Sequence, residues 1–315
     1  MLSIFLTILP VFVLMGIGWL AVKSEYLGDN LADTLNAFTV RLAVPVLLFR
    51  AMVNLDFSQA FNIPTLIGFY AGAVFSFIAG IFLARLIWKR RPGEAVAVGF
   101  CALFSNTVLL GIPIMQRSYG EEALTPVFGI IALHAGSMYT IGLISMELAR
   151  ADGRPLFETL RIAAKSILSN SLMIGVLSGI AINLSGIPLP EVIMSPVNML
   201  ASAALPVALV GIGAALTRYQ IKAEFSEALM VSSLSLILHP LIAFIITHMI
   251  FGLPIELVRA AVIIGAMPPG MNVYIFAAMY DRAVSLSASA IVIATALSIF
   301  TISAWLWLLE HVVFS

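Results

Sequence analysis

Charge is what this chain has least of. Charged residues make up 10% of it, where a soluble globular domain carries about 25%. Lys plus Arg and Asp plus Glu stand at 16 each, so the formal net charge is zero. With no basic patch and no acidic run, nothing in the chain answers a nucleic-acid backbone. Cysteine is almost missing: Cys101 stands alone in an apolar run, cannot close an internal disulfide, and reads as a small hydrophobe. No Gly-x-x-x-x-Gly-Lys phosphate loop occurs, nor a polar stretch long enough for a soluble domain to hold one, which argues against primary pumping. No His-Glu-x-x-His occurs either, and Asp33, Asp56, Asp152 and Asp281 all fall in or beside connections. An intramembrane enzyme needs an acid pair, a nucleophile–base pair or a metal cluster at depth, and that class fits poorly.

Hydrophobic sequence fills the rest: 61% of 315 residues, with a mean hydropathy of +1.09. A bilayer-crossing helix takes about 20 mainly apolar residues. That template predicts ten spans, near 3–22, 36–53, 64–88, 95–115, 127–147, 166–186, 193–216, 228–251, 259–279 and 286–309. The first lacks the basic start and small-x-small site of a signal peptide and reads as a retained helix. One all-α integral membrane domain, 1–315, follows. Cytoplasmic loops collect Lys and Arg. One set of connections holds Lys23; Arg85, Lys89, Arg90 and Arg91; Arg150, Arg154, Arg161 and Lys165; Arg218 and Lys222; and Arg282. The other holds Arg50, Arg117 and Arg259, with Arg41 inside a span. The bias predicts both termini outside the cell's inner (plasma) membrane.

The basic connection 148–165 divides the spans into halves, 1–150 and 160–315, of five each. An odd number per half makes any repeat an inverted one, a recurring plan of secondary transporters whose site lies at the midplane among interrupted helices. The second span of each half holds a proline, Pro45 in "LAVPVLLF" and Pro206 in "ALPVALVGIG". The fourth of each half is broken, by Pro113 in "SNTVLLGIP" and by Pro268 and Pro269 in "AMPPGMNVYIF". Asn106 and Asn272 each fall about 18 Å into their span, near the centre of a ~30 Å core. Proline frees a carbonyl four residues back, and lipid leaves it unsatisfied unless protein or water covers it. Two such breaks at one depth suit a shared cavity, with helix N-termini for an anion and freed carbonyls for a cation.

At these residues the chain resembles the auxin efflux carrier family. The family pattern Asn-Thr-x-x-x-Gly-Ile-Pro is met by Asn106, Thr107, Gly111, Ile112 and Pro113; Ala-x-Pro-x-Gly with Phe-Ala-x-x-Tyr is met by Ala266, Pro268, Gly270, Phe276, Ala277 and Tyr280. Ala43, Val44, Pro45, Leu47 and Phe49 match the second helix, and Tyr139, Thr140 and Glu147 the fifth. The resemblance spans the chain. It implies ten helices as two inverted five-helix repeats, a substrate site where helices 4 and 9 cross, and a fold related to the bile acid/sodium symporters. Related carriers are dimeric, which makes a homodimer a candidate assembly. This chain departs from the plant carriers in having Val273 for their second crossing proline, no acidic residue over 64–84 and no long central loop. These departures favour a bacterial-type carrier of a small organic anion, a mono- or dicarboxylate, working by alternating access.

The candidate substrate contacts are therefore Asn106, Thr107, Gly111, Pro113, Pro268, Pro269, Gly270 and Asn272. The bland reading of the two asparagines is helix–helix hydrogen bonding. Arg41, His134, Tyr139 and His239 are candidates for substrate contact or for coupling to sodium or protons, against snorkelling for Arg41 and a satisfied buried partner for each histidine. Arg50, near a span end, reads as snorkelling. Pro45 and Pro206 are scaffold, and "GIGAA" (211–215) offers a close sliding contact. No cofactor or metal is called for. A channel of the same fold is the alternative; it wants a continuous pore with carbonyl or charge rings.

Overall fold

In the computed structural model the described residues are 2–28, 30–150, 161, 170–218 and 224–313. They fold into helices, with no β-strand among them. In chain order these are α1 (Leu2–Lys23), α2 (Leu31–Val53), α3 (Ile63–Leu86), α4 (Pro92–Leu103), α5 (Ile112–Tyr119), α6 (Leu124–Ala149), α7 (Ser171–Ser185), α8 (Glu191–Leu216), α9 (Phe225–Ile250), α10 (Ile255–Gly265), α11 (Met271–Tyr280) and α12 (Val284–His311). Seven of them, α1, α2, α3, α6, α8, α9 and α12, are long and apolar enough to cross a membrane, with mean hydropathies of 1.5 to 2.4. Length and composition fit a multi-pass membrane protein. The spans read at 95–115 and 259–279 are each two short helices around a break. Most of the connection 148–165, the start of the span at 166–186, and Arg154, Lys165 and Lys222 lie outside the described residues.

Three prolines share one local device. A widened π-helical turn, Thr39–Ala43, Thr107–Gly111 or Leu234–Leu238, ends two residues before Pro45, Pro113 or Pro240. A proline ring clashes with the carbonyl four residues back and offers it no N–H. Widening the preceding turn moves that carbonyl aside. For Pro240 the freed carbonyl belongs to Leu236, and the indole Nε1 of Trp305 donates to it at 3.0 Å.

The two breaks meet. Ser105 and Pro269 form an isolated antiparallel bridge, in which the Asn106 N–H donates to the Pro268 carbonyl at 2.8 Å. The chains run in opposite directions through this point. Extended backbone at Phe104 and Gly270 (φ −99°, ψ 92° and φ −92°, ψ 178°) lets each segment pass the other before its second helix starts. Gly270 permits the approach: a Cβ there would stand 3.3 Å from Cβ of Asn106.

Packing separates the helices into two groups. α1 lies on α8, and α2 on α7 and α8; α9 lies on α3, α10 and α12, and α4 on α3 and α6. Within the first group backbones touch, since a Cβ on Gly175 would strike the backbone of Pro45 and one on Gly213 that of Met15. The glycines of "GIGAA" thus seat α8 closely on α1 and α2, inside one group. In the second group each first half-helix is tied near its start by an arginine. Arg90 donates to both carboxylate oxygens of Glu227, Oε1 at 3.2 Å and Oε2 at 2.7 Å, and reaches Glu224. Arg259 pairs with Glu310 of α12, its guanidinium 4.5 Å from the centre of the Tyr119 ring. The Glu227 bonds hold Arg90 above its ordinary pKa.

Glu227 is 1% exposed, so Arg90→Ala leaves a buried carboxylate with no cation and should cost about 3 kcal/mol, read as a lower melting temperature in detergent. Gly270→Ala should destabilise by about 1–2 kcal/mol through overpacking against Asn106, and the same melting curve measures it.

Candidate functional site

A cavity of about 110 Å³ sits beside the meeting point. From the first break it is lined by Ser105, Asn106, Thr107, Val108 and Leu109, and from the second by Gly270, Met271 and Asn272. α2, α6 and α7 close it with Leu48, Ile131, His134, Met173 and Val176. Both wall segments are helix starts: the π turn at Thr107–Gly111 and α11 at Met271. The first N–H groups of a helix have no acceptor within it, and aligned peptide dipoles make that end electropositive. Two such ends therefore face one small space. The carboxamide nitrogens of Asn106 and Asn272 make no hydrogen bond among the described residues, while Oδ1 of Asn272 accepts from the Tyr139 hydroxyl at 3.2 Å.

The freed carbonyls have different partners. The Ser105 carbonyl accepts from Nε2 of His134 at 3.1 Å and from the Thr107 N–H at 2.9 Å. The Met267 carbonyl accepts from the Ser235 hydroxyl at 3.1 Å, and Pro268 from Asn106. His239, fully buried, donates from Nε2 to the Phe69 carbonyl at 3.0 Å, and Nδ1 stands 3.5 Å from the Ser105 hydroxyl. A carbonyl can only accept, so these contacts put the proton of each ring on Nε2. Nδ1 of His134 is then a bare acceptor, buried and without a partner among the described residues. Phe69 and Phe104 brace that imidazole with ring centres 5.6 and 4.7 Å away.

The residues singled out in the sequence thus separate into places. Asn106, Thr107, Gly270, Asn272 and His134 line the small cavity. Pro268 and Pro269 form the break, and Gly111 packs toward Ile264 behind it. Tyr139 and His239 stand one layer back. Pro113 and Pro206 line a second, larger cavity of about 930 Å³ that opens where α2 ends and α8 begins. Pro45 packs its backbone on Gly175. Arg41 is exposed on α2 and lines neither cavity. Ser105, Ser235 and Phe69 were not singled out. Ser105 precedes Asn106 directly and could have been found from the break itself; Ser235 and Phe69 lie on other helices and carry no signal in the sequence.

The family of membrane transport proteins matches residues 3–306. A protein of Rhizobium meliloti (strain 1021) named "Putative malonate transporter" is 26% identical over 308 residues, 96% of this chain and 95% of its own. "Uncharacterized transporter YfdV" of Escherichia coli (strain K12) is 27% identical over 282 residues, 87% of each chain. "Auxin efflux carrier component 8" of Arabidopsis thaliana is 26% identical over 156 residues, 46% of this chain and 41% of its own. Matched over residues 3–306, a range that includes both breaks, the chain belongs to the membrane transport protein family that includes the auxin efflux carriers.

Proposed function

We propose that the protein is a secondary transporter of a small carboxylate, with the substrate held in the cavity between the two breaks. The observation that carries this reading is the convergence, on one space, of two helix starts and two carboxamide nitrogens that have no acceptor among the described residues. A carboxylate takes up N–H donors and is favoured by the positive ends of helices. The freed carbonyls, which would repel an anion, are already occupied by His134, Ser235 and the Asn106 N–H. A volume of about 110 Å³ lies below the roughly 300–1,000 Å³ of sites for drug-sized ligands, which favours a compact anion. Malonate, the substrate in the name of the Rhizobium relative, is the first to try.

In this reading ten spans form two inverted repeats, counting α4 with α5 and α10 with α11 as one span each. The antiparallel meeting of the two broken spans at Ser105 and Pro269 supports that arrangement. Both termini lie outside, and the large cavity is an outward vestibule. Between vestibule and crossing stands an apolar partition of Leu47, Leu48, Ile112 and Ile131, each under 5% exposed. It supports a carrier over an open pore. The group containing the breaks would move against α1, α2, α7 and α8, carrying the crossing past this partition.

Melting curves of the purified protein test the reading, run with malonate and a panel of other mono- and dicarboxylates, with and without sodium. A ligand at a hundred times its dissociation constant stabilises the native state by about 2.7 kcal/mol. The wild type should be stabilised by at least one carboxylate, and Asn106→Ala should lose most of that response. Equal responses from both proteins would return Asn106 to helix–helix contact.

A further inference from the structure

The vestibule contains a cation that the crossing site does not use. Arg50 lies one turn before the end of α2, half-buried in the vestibule wall. Its guanidinium has no ion-pair or hydrogen-bond partner among the described residues; only its backbone carbonyl is engaged, by Asn54. Of the neighbouring charges, Arg117, Glu121 and Asp56 have hydrogen-bond partners of their own. Arg117 donates from Nε to the Thr7 carbonyl at 2.8 Å, and Glu121 accepts from the Gln116 amide at 2.6 Å. Asp56 accepts from the Ser58 hydroxyl and N–H (2.6 and 2.9 Å) and from Gln59. Those bonds hold its carboxyl below the usual range, so it is ionised and already occupied. Glu191 sits in the first turn of α8 and complements that helix start.

Taking an arginine partly out of water inside a membrane domain is unfavourable unless something answers its charge. A residue that binds and releases an anion has no fixed partner between ligands. The facing wall is polar in an apolar span: α8 turns Glu191, Asn198 and Ser202 toward the vestibule on one stripe, followed by Pro206. Below them lie the apolar partition and then the crossing.

We propose that Arg50 is the carboxylate-binding residue of a second, vestibular site, where an organic anion is held before or after its passage through the crossing. This rests on the carboxylate reading above and adds a place and a residue to it. The planar guanidinium can take both oxygens of one carboxylate, which lysine cannot do. The bland reading is a charge complementing the carbonyl end of α2, for which arginine and lysine are equivalent.

Malonate titrations of the melting temperature separate the two, run on the wild type, Arg50→Gln, Arg50→Lys and Asn106→Ala. Arg50→Gln should weaken the apparent malonate affinity roughly tenfold or more, and chloride should compete less well with what remains. Arg50→Lys should fall between. Wild-type affinity in Arg50→Gln overturns the inference and leaves the crossing site standing if Asn106→Ala has lost its response. Should Arg50→Gln fail to fold, the lysine variant decides, because unchanged affinity there also overturns it. If no carboxylate stabilises the wild type, the carboxylate reading fails and the vestibular site with it.

Discussion

One backbone hydrogen bond, from the Asn106 N–H to the Pro268 carbonyl, sets the constraint to which the rest of the centre answers. Two chain segments lose their helical bonds deep in an apolar protein, where an unpaired peptide group is costly. Bonding to each other satisfies one donor and one acceptor and fixes their relative height and direction. It also sorts the remaining groups. Carbonyls from the ends of α4 and α10 fall where His134 and Ser235 can donate to them. The helix starts that follow line the small cavity, beside the two asparagine carboxamides. Any electropositive character of that cavity comes from these helix ends, since no charged side chain stands among the described residues of its lining.

Away from the breaks, proline is handled so that it disturbs little. The π turns before Pro45 and Pro240 absorb the steric conflict within continuous helices. Pro113 has the same turn before it, but its segment is already unwound at Ser105, so there the turn becomes a helix start lining a cavity. The same local device yields a smooth span in one place and half of a candidate site in another. What differs is whether a second broken segment lies across from it.

The ends of the structure are held more firmly than its centre. Arginine–glutamate pairs tie α4 to α9 and α10 to α12. Glycine contacts at backbone distance lock α1 to α8 and α2 to α7. Between the groups lie two cavities separated by a thin apolar partition. Apolar contact is non-directional and can be exchanged for a similar contact one turn away, whereas the charged tethers and glycine seats are specific.

The sequence by itself determined the membrane setting, the long helices and the places of both breaks. Twenty-residue apolar runs leave a helix as the one way to satisfy the backbone in lipid, and Pro113, Pro268 and Pro269 interrupt such runs wherever they stand. It also singled out Asn106 and Asn272, which the structure brings to one cavity. Tertiary structure alone decided what these features meet. That Ser105 bonds His134 and stands near His239, that Gly270 passes against Asn106, that Arg41 is exposed while Arg50 lines the large cavity, and that "GIGAA" seats α8 on α1 and α2, all depend on which helix faces lie together. In an almost uniformly apolar chain the hydrophobic pattern runs all round each helix and names no face. The packing of small residues and the few hydrogen bonds at depth choose the faces, and those choices exist only once distant segments are side by side.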